Sequence, residues 1–73
     1  FMWVIVFGKN SVGWNFYLAD IINEKSIDRT VSFERAKKFN NRHDAEITIT
    51  RFQELKHAYV ASLAELKSFG GEL

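Results

Sequence analysis

Few side chains in this sequence have the type and spacing to do chemistry. His43 stands beside Asp44, and Glu54 precedes His57 by three residues, so each pair could offer ligands to a metal. On a helix, Glu54 and His57 would share one face. Zinc takes three or four ligands, and His43 and His57 would lie about four turns apart on one continuous helix. Both histidines are therefore expected at the surface, and no metal or other cofactor is expected. There is no cysteine, which removes disulfides, thiolate metal sites and a thiol nucleophile. None of Ser11, Ser26, Ser32, Ser62 and Ser68 stands in a Gly-x-Ser-x-Gly turn. Residues 8–13, GKNSVG, lack the terminal Gly-Lys-Ser/Thr of a phosphate-binding loop, and a strand rather than a helix is predicted after them. The acid pairs Asp20/Glu24 and Asp44/Glu46 have no recognisable partner arrangement. The chain is expected not to be an enzyme.

Charge is the remaining resource. The net charge of +1 hides a polarised chain. Residues 29–42 hold Arg29, Arg35, Lys37, Lys38 and Arg42 against Glu34, giving 5 − 1 = +4; the rest holds five bases and eight acids, giving −3. The five cations could contact phosphates, with Phe33, Phe39 or Tyr17 as a stacking platform. Against that, the chain as a whole is nearly neutral, and phenylalanines are more simply explained as core. The segment reads first as a solvated, charged hinge ahead of a helix, which also discourages an edge strand from pairing with other chains. Binding to an acidic partner through Arg29, Arg35, Lys37, Lys38 and Arg42 is the functional alternative.

The elements that must position these groups come from 73 residues, enough for one small α+β domain over 1–73. A chain this short has a marginal core, and an aromatic content of 15% points to tight packing or a subunit interface. Residues 2–7 (MWVIVF) and 14–20 (WNFYLAD) are strand-like and flank the turn-forming GKNSVG, which predicts a β-hairpin. Trp14, Phe16 and Leu18 then share one face, with Asn15, Tyr17 and Ala19 on the other. Residues 20–30 read as a loop pinned by Ile21, Ile22 and Ile27. Residues 31–39 fit both an alternating strand and a helical turn capped by Ser32; a short turn leading into an edge strand would satisfy both.

Asn41 and Asp44 have the spacing of a helix cap. From Asp44 to Phe69 there is neither Gly nor Pro, and Ala45, Phe52, Tyr59 and Leu66 recur at heptad spacing beside Thr48, Leu55, Ser62 and Phe69. Gly70 and Gly71 follow as a stop. One long amphipathic helix over 42–69, about 42 Å long, is expected. It would exceed the width of so small a domain, so Phe52, Leu55, Tyr59, Leu63 and Leu66 are expected to form a core or homodimer seam. The alternating EITIT (46–50) and HAYVASL (57–63) keep a strand open at both places; a strand at 46–50 would leave a shorter helix over 51–69. The expected fold is thus α+β, an N-terminal antiparallel hairpin (three strands if 31–39 joins it) packed on a long C-terminal amphipathic helix.

The pattern WVIVF…FYLAD…ERAKKFNNRHDAE resembles the short accessory proteins of phages and prophages of Gram-positive bacteria. Trp3, Tyr17, Ala36, Phe39, Asn41, Asp44 and Ala45 carry the resemblance, which spans residues 2–52; the alanine-rich tail departs from it. No functional residues transfer. The resemblance implies a non-enzymatic protein that binds host, competitor or defence machinery. The function expected is a phage-encoded interaction module that inhibits or modulates a larger host or bacterial-defence protein by surface occlusion. A nucleic-acid-binding accessory factor using segment 29–42 and a homo-oligomeric structural protein are the alternatives. Phe1 ahead of Met2 is expected to be an addition before the native start. Residues 1–7 are too short to span a bilayer and lack the features of a leader, so no membrane role is expected and the location implied is the cytoplasm of a bacterial host.

Overall fold

A strand with apolar residues on both faces needs cover on both and a neighbour on both edges. Val4, Ile5 and Val6 are all buried, and their strand, Trp3–Lys9 (β1), lies inside a sheet. The structure, a computed structural model, describes residues 2–62 and 64. Strand Asn15–Asn23 (β2) returns antiparallel to β1, with Val6 opposite Tyr17 and Lys9 opposite Asn15. Between those pairs β1 has one residue more than β2. Gly8, at φ +90°, absorbs it in the left-handed region that glycine enters without strain.

Residues 20–30, expected as a loop, are strand, tight turn and strand. Ser26–Thr30 (β3) pairs antiparallel with β2, from Tyr17–Thr30 to Asn23–Ser26. The polar letters that suggested a loop occupy the turn and the exposed side: Asn23 Oδ1 accepts the Lys25 amide at 2.8 Å, and Asp20 and Asp28 face each other in water. Ile21 and Ile27 pair across the strands and reach the core, whereas Ile22 points into solvent. The other edge of β1 pairs antiparallel with Tyr59–Ser62 (β4), from Trp3–Ser62 to Val6–Tyr59. The sheet order is β3-β2-β1-β4.

Beyond Val6–Tyr17 the paths of β1 and β2 diverge, and residues 37–39 enter the fork. Phe39 exchanges both backbone hydrogen bonds with Trp3, at 2.8 and 2.9 Å, and the Lys37 amide donates to the Leu18 carbonyl at 2.8 Å. The ambiguous segment 31–39 is therefore a 3-10 turn at Phe33–Arg35 followed by one bridge to the sheet. Ser32 stands at the N-cap of that turn, but its side chain makes no cap bond.

The expected long helix is overturned. The helix runs only over Arg42–Arg51 (α1), ten residues or about 15 Å. Asn41 caps it, its Oδ1 accepting the Asp44 amide at 2.8 Å. The β-branched stretch 46–50 is helical, not a strand, so the shorter-helix alternative over 51–69 also fails. Two threonines return their hydroxyls to the helix: Thr48 donates to the Asp44 carbonyl at 2.9 Å and Thr50 to that of Ile47 at 2.7 Å. At Phe52 the backbone is extended (φ −127°, ψ 127°). A 3-10 turn at Gln53–Leu55 and a short link then feed β4, so the 57–63 stretch supplies a strand.

This outcome follows from β1. A hairpin on a helix would cover one face of β1 and leave Val4 and Val6 bare. Here Ile5, Leu18, Phe39, Ala45, Phe52, Leu55 and Val60 form the core on the α1 side. Val4, Val6, Tyr17, Ala36 and Ala61 form a second one beneath the 3-10 turn, where Phe33 meets Tyr17 edge-on at 5.6 Å. At about 25 cal/mol per Å2 of apolar surface, covering both faces and filling the second edge outweighs the few tenths of a kcal/mol per residue that continued helix would contribute.

Among the described residues, the expected core or homodimer seam does not lie on one helix face. Phe52 and Leu55 are core residues on the turn that ends α1, and Tyr59 lies exposed on β4. Leu63 and Leu66, with the Gly70-Gly71 stop, lie outside the described residues. With α1 this short, the unpartnered stripe that argued for a homodimer is gone.

Candidate interaction surface

The segment 29–42 does not present its cations as one face. Arg29, on β3, lies over the rings of Phe7 and Phe16 at 5.4 and 5.5 Å and pairs with Glu54 at 3.2 Å. Lys37 lies over Phe39 at 5.7 Å, and Arg42 over Trp3 at 5.5 Å, the latter also reaching Glu46 at 3.0 Å one turn along α1. Lys38 lies over Phe33 at 4.9 Å. Its Nζ donates to the carbonyls of Phe33 and Ala36, both at 2.8 Å, and to that of Glu34 at 3.3 Å, closing the 3-10 turn. Trp3, Phe7 and Phe39 belong to the α1-side core and Phe33 to the opposite one, so the segment is divided between two faces.

Five cation–ring contacts among the described residues place these cations over aromatic rings of the chain itself. Both ion pairs are about half exposed and contribute at most ~1 kcal/mol each. Arg35 alone of the five makes no side-chain hydrogen bond, ion pair or ring contact with another described residue. The rings named for stacking are equally committed: Tyr17 and Phe39 are buried, and Phe33 is half-buried beneath Lys38.

The groups considered for chemistry remain dispersed. His43 is exposed in the first turn of α1, and His57 is exposed just before β4. Glu54 is occupied by Arg29. Among the described residues no three His, Asp or Glu side chains gather as metal ligands. A groove of about 180 Å3, lined by Glu24, Lys25, Arg51, Phe52, Gln53 and Glu54, lies where the β2–β3 turn meets the end of α1. It is smaller than the roughly 300 Å3 at which small-molecule pockets begin.

A different stretch holds two apolar side chains exposed. The connection between β1 and β2, residues 10–14, carries Val12 and Trp14, 73% and 63% exposed. Four hydrogen bonds fix it. Asn10 Oδ1 accepts the amides of Val12 and Trp14, both at 3.0 Å. The Asn10 amide donates to the Trp14 carbonyl at 2.8 Å, and the Gly13 amide to the Asn10 carbonyl at 3.1 Å. Gly13, at φ +92°, makes the left-handed step that brings Trp14 back to Asn10. Sequence reasoning assigned this stretch to a plain turn and Trp14 to a strand face. The available signal was two apolar residues flanking a turn glycine, where nothing in the hairpin requires them.

Met2, Ile22, Val31, Ile47 and Tyr59 are also exposed, but scattered single exposures are ordinary for a protein surface. Among the described residues no helix is long and apolar enough to cross a membrane. No family model, no curated protein and no solved structure matches this chain.

Proposed function

We propose that this chain is a small non-enzymatic module that binds a larger protein and acts by covering part of its surface. The setting is the one its sequence resembles, a phage product acting on a host or bacterial-defence protein in the host cytoplasm. One observation carries the reading. The β1–β2 tip holds Val12 and Trp14 in water with four hydrogen bonds and a left-handed glycine. Such side chains contribute little to the chain's own core. Tryptophan held in place before binding is the residue type most often found to anchor a protein interface, because little conformational entropy is lost on contact. The commitment of Arg29, Lys37, Lys38 and Arg42 to rings and carbonyls moves the reading away from the basic segment and from nucleic acid.

The test is capture from a bacterial lysate on the immobilised chain and on its Trp14→Ala variant, with and without nuclease, and with bound proteins identified by mass spectrometry. One stoichiometric protein that survives nuclease on the wild type and is lost with Trp14→Ala is the expected result. Material that disappears with nuclease from the wild-type chain would return the function to nucleic acid.

A further inference from the structure

We infer that residues 31–36 form a strap that opens by itself over the second core, with the Lys38 ammonium as its latch. None of residues 31–36 makes a backbone hydrogen bond to a described strand. The sheet holds the chain on either side of them. Thr30 pairs with Tyr17 at the end of β3, and the Lys37 amide donates to the Leu18 carbonyl at 2.8 Å. The strap closes on itself instead. The Arg35 amide donates to the Ser32 carbonyl at 3.1 Å, and the Ala36 amide to that of Phe33 at 3.2 Å. Val31, Glu34 and Arg35 are exposed, while Phe33 and Ala36 reach the second core.

A segment with few buried contacts and no ladder bonds opens at a lower free energy than the sheet beneath it. Lys38 counters that tendency. Its backbone lies between Lys37 and Phe39, both bonded to the sheet, so it is fixed. From there Nζ donates to the Phe33 and Ala36 carbonyls at 2.8 Å and the Glu34 carbonyl at 3.3 Å, and lies over the Phe33 ring at 4.9 Å. One charge thus ties the strap to its anchored base, and loss of that charge releases it. Release uncovers Val4 and Val6 of β1, Tyr17 of β2 and Ala61 of β4, an apolar face on the side of the sheet away from α1. The device is separate from the β1–β2 tip, since opening leaves the hairpin, α1 and every strand pairing in place.

Amide hydrogen exchange of the full chain, followed by NMR in increasing low concentrations of urea, tests this. The Arg35 and Ala36 amides report the strap. The Lys37 and Phe39 amides, bonded to the Leu18 and Trp3 carbonyls, report its base. Relative to unfolded-chain rates, Arg35 and Ala36 should exchange at least about tenfold faster than Lys37 and Phe39, and nearly independently of urea. Exchange at Lys37 and Phe39 should quicken with urea as global unfolding does. Lys38→Met should speed Ala36 exchange about 30- to 150-fold, the equivalent of about 2–3 kcal/mol, with the weak urea dependence kept. Arg35→Met should change it less than about threefold. One level of protection and one urea slope at all four amides would mean that the strap opens only with the sheet. Unprotected Arg35 and Ala36 amides in the wild type would mean that it is not held shut. Unchanged Ala36 exchange in Lys38→Met would remove the latch. Each of these three results overturns the inference.

Discussion

Lys38→Met separates a cation that builds the fold from one that is merely on it. Methionine keeps a straight side chain of similar reach and removes the ammonium. Lys38 Nζ serves two half-buried carbonyls at 2.8 Å, those of Phe33 and Ala36, a more exposed one at 3.3 Å, and the face of Phe33 at 4.9 Å. In a fully buried site, bonds to a charged donor contribute ~1.5–3 kcal/mol each, but these carbonyls can partly rehydrate, so about 1 kcal/mol for each short bond is appropriate. The long bond adds little, and the ring contact adds about 0.5–1 kcal/mol. The expected loss is therefore about 2–3 kcal/mol. A chain this size has roughly 4–11 kcal/mol of stability in total, so the loss is a large fraction of it. The melting temperature should fall by about 10–20 °C. Urea unfolding followed by circular dichroism should show a lower midpoint at an unchanged slope. Arg35→Met, at an exposed cation with no such bond or ring contact, should stay within ~0.5 kcal/mol of wild type. Lys38→Met within that same margin, or Arg35→Met as damaging as Lys38→Met, would refute the assignment of Lys38 to the fold.

Two further outcomes follow from the packing and the tip. Leu55→Ala, at a fully buried position of the α1-side core, should cost ~2–5 kcal/mol, and the loss should not change with protein concentration. A dependence on concentration would restore Leu55 to a subunit seam. Asn10→Ala removes the acceptor shared by the Val12 and Trp14 amides and should cost about 1–2 kcal/mol, with both amides exchanging faster with deuterated water. Unchanged exchange at both amides would mean that the Asn10 side chain does not hold the tip.

How much of this was legible varies from element to element. The β1–β2 hairpin is written in local letters, because β-branched and aromatic runs on either side of GKNSVG need no distant partner to be recognised. The N-cap at Asn41 is equally local, its bond spanning three residues. The error over 42–69 came from a periodicity that two structures share. Phe52, Leu55 and Tyr59 keep helical spacing, yet Phe52 enters the core from the extended residue after α1, Leu55 from a 3-10 turn, and Tyr59 sits on a strand. The decisive hint lay elsewhere, in MWVIVF: a strand without a polar face is an interior strand, and its second edge has to be filled.

Charge density along the chain marked residues 29–42 first as a solvated hinge, with Arg29, Arg35, Lys37, Lys38 and Arg42 as an alternative surface for a partner. Contacts from separate parts of the fold brought Phe7 and Phe16 beneath Arg29, Trp3 beneath Arg42, and the turn carbonyls around Lys38. No spacing rule reveals which cation meets which ring. Conversely, Val12 and Trp14 look in the sequence like two more core residues, and only the path of the hairpin leaves them in water.

By itself, the sequence determined what depends on neighbours a few residues apart: the hairpin and its glycines, the cap of α1, and the absence of thiol chemistry. The tertiary structure decided where α1 ends, that residues 59–62 become a strand, which cations are lids and which apolar side chains are left outside. The physical reason is the same in each case. A helix turn or a tight turn is closed by bonds within four residues, so its energy is local. The fate of residues 52–62 was set by two bare valines and an unpaired edge on β1, about 50 residues away, which no local preference could satisfy.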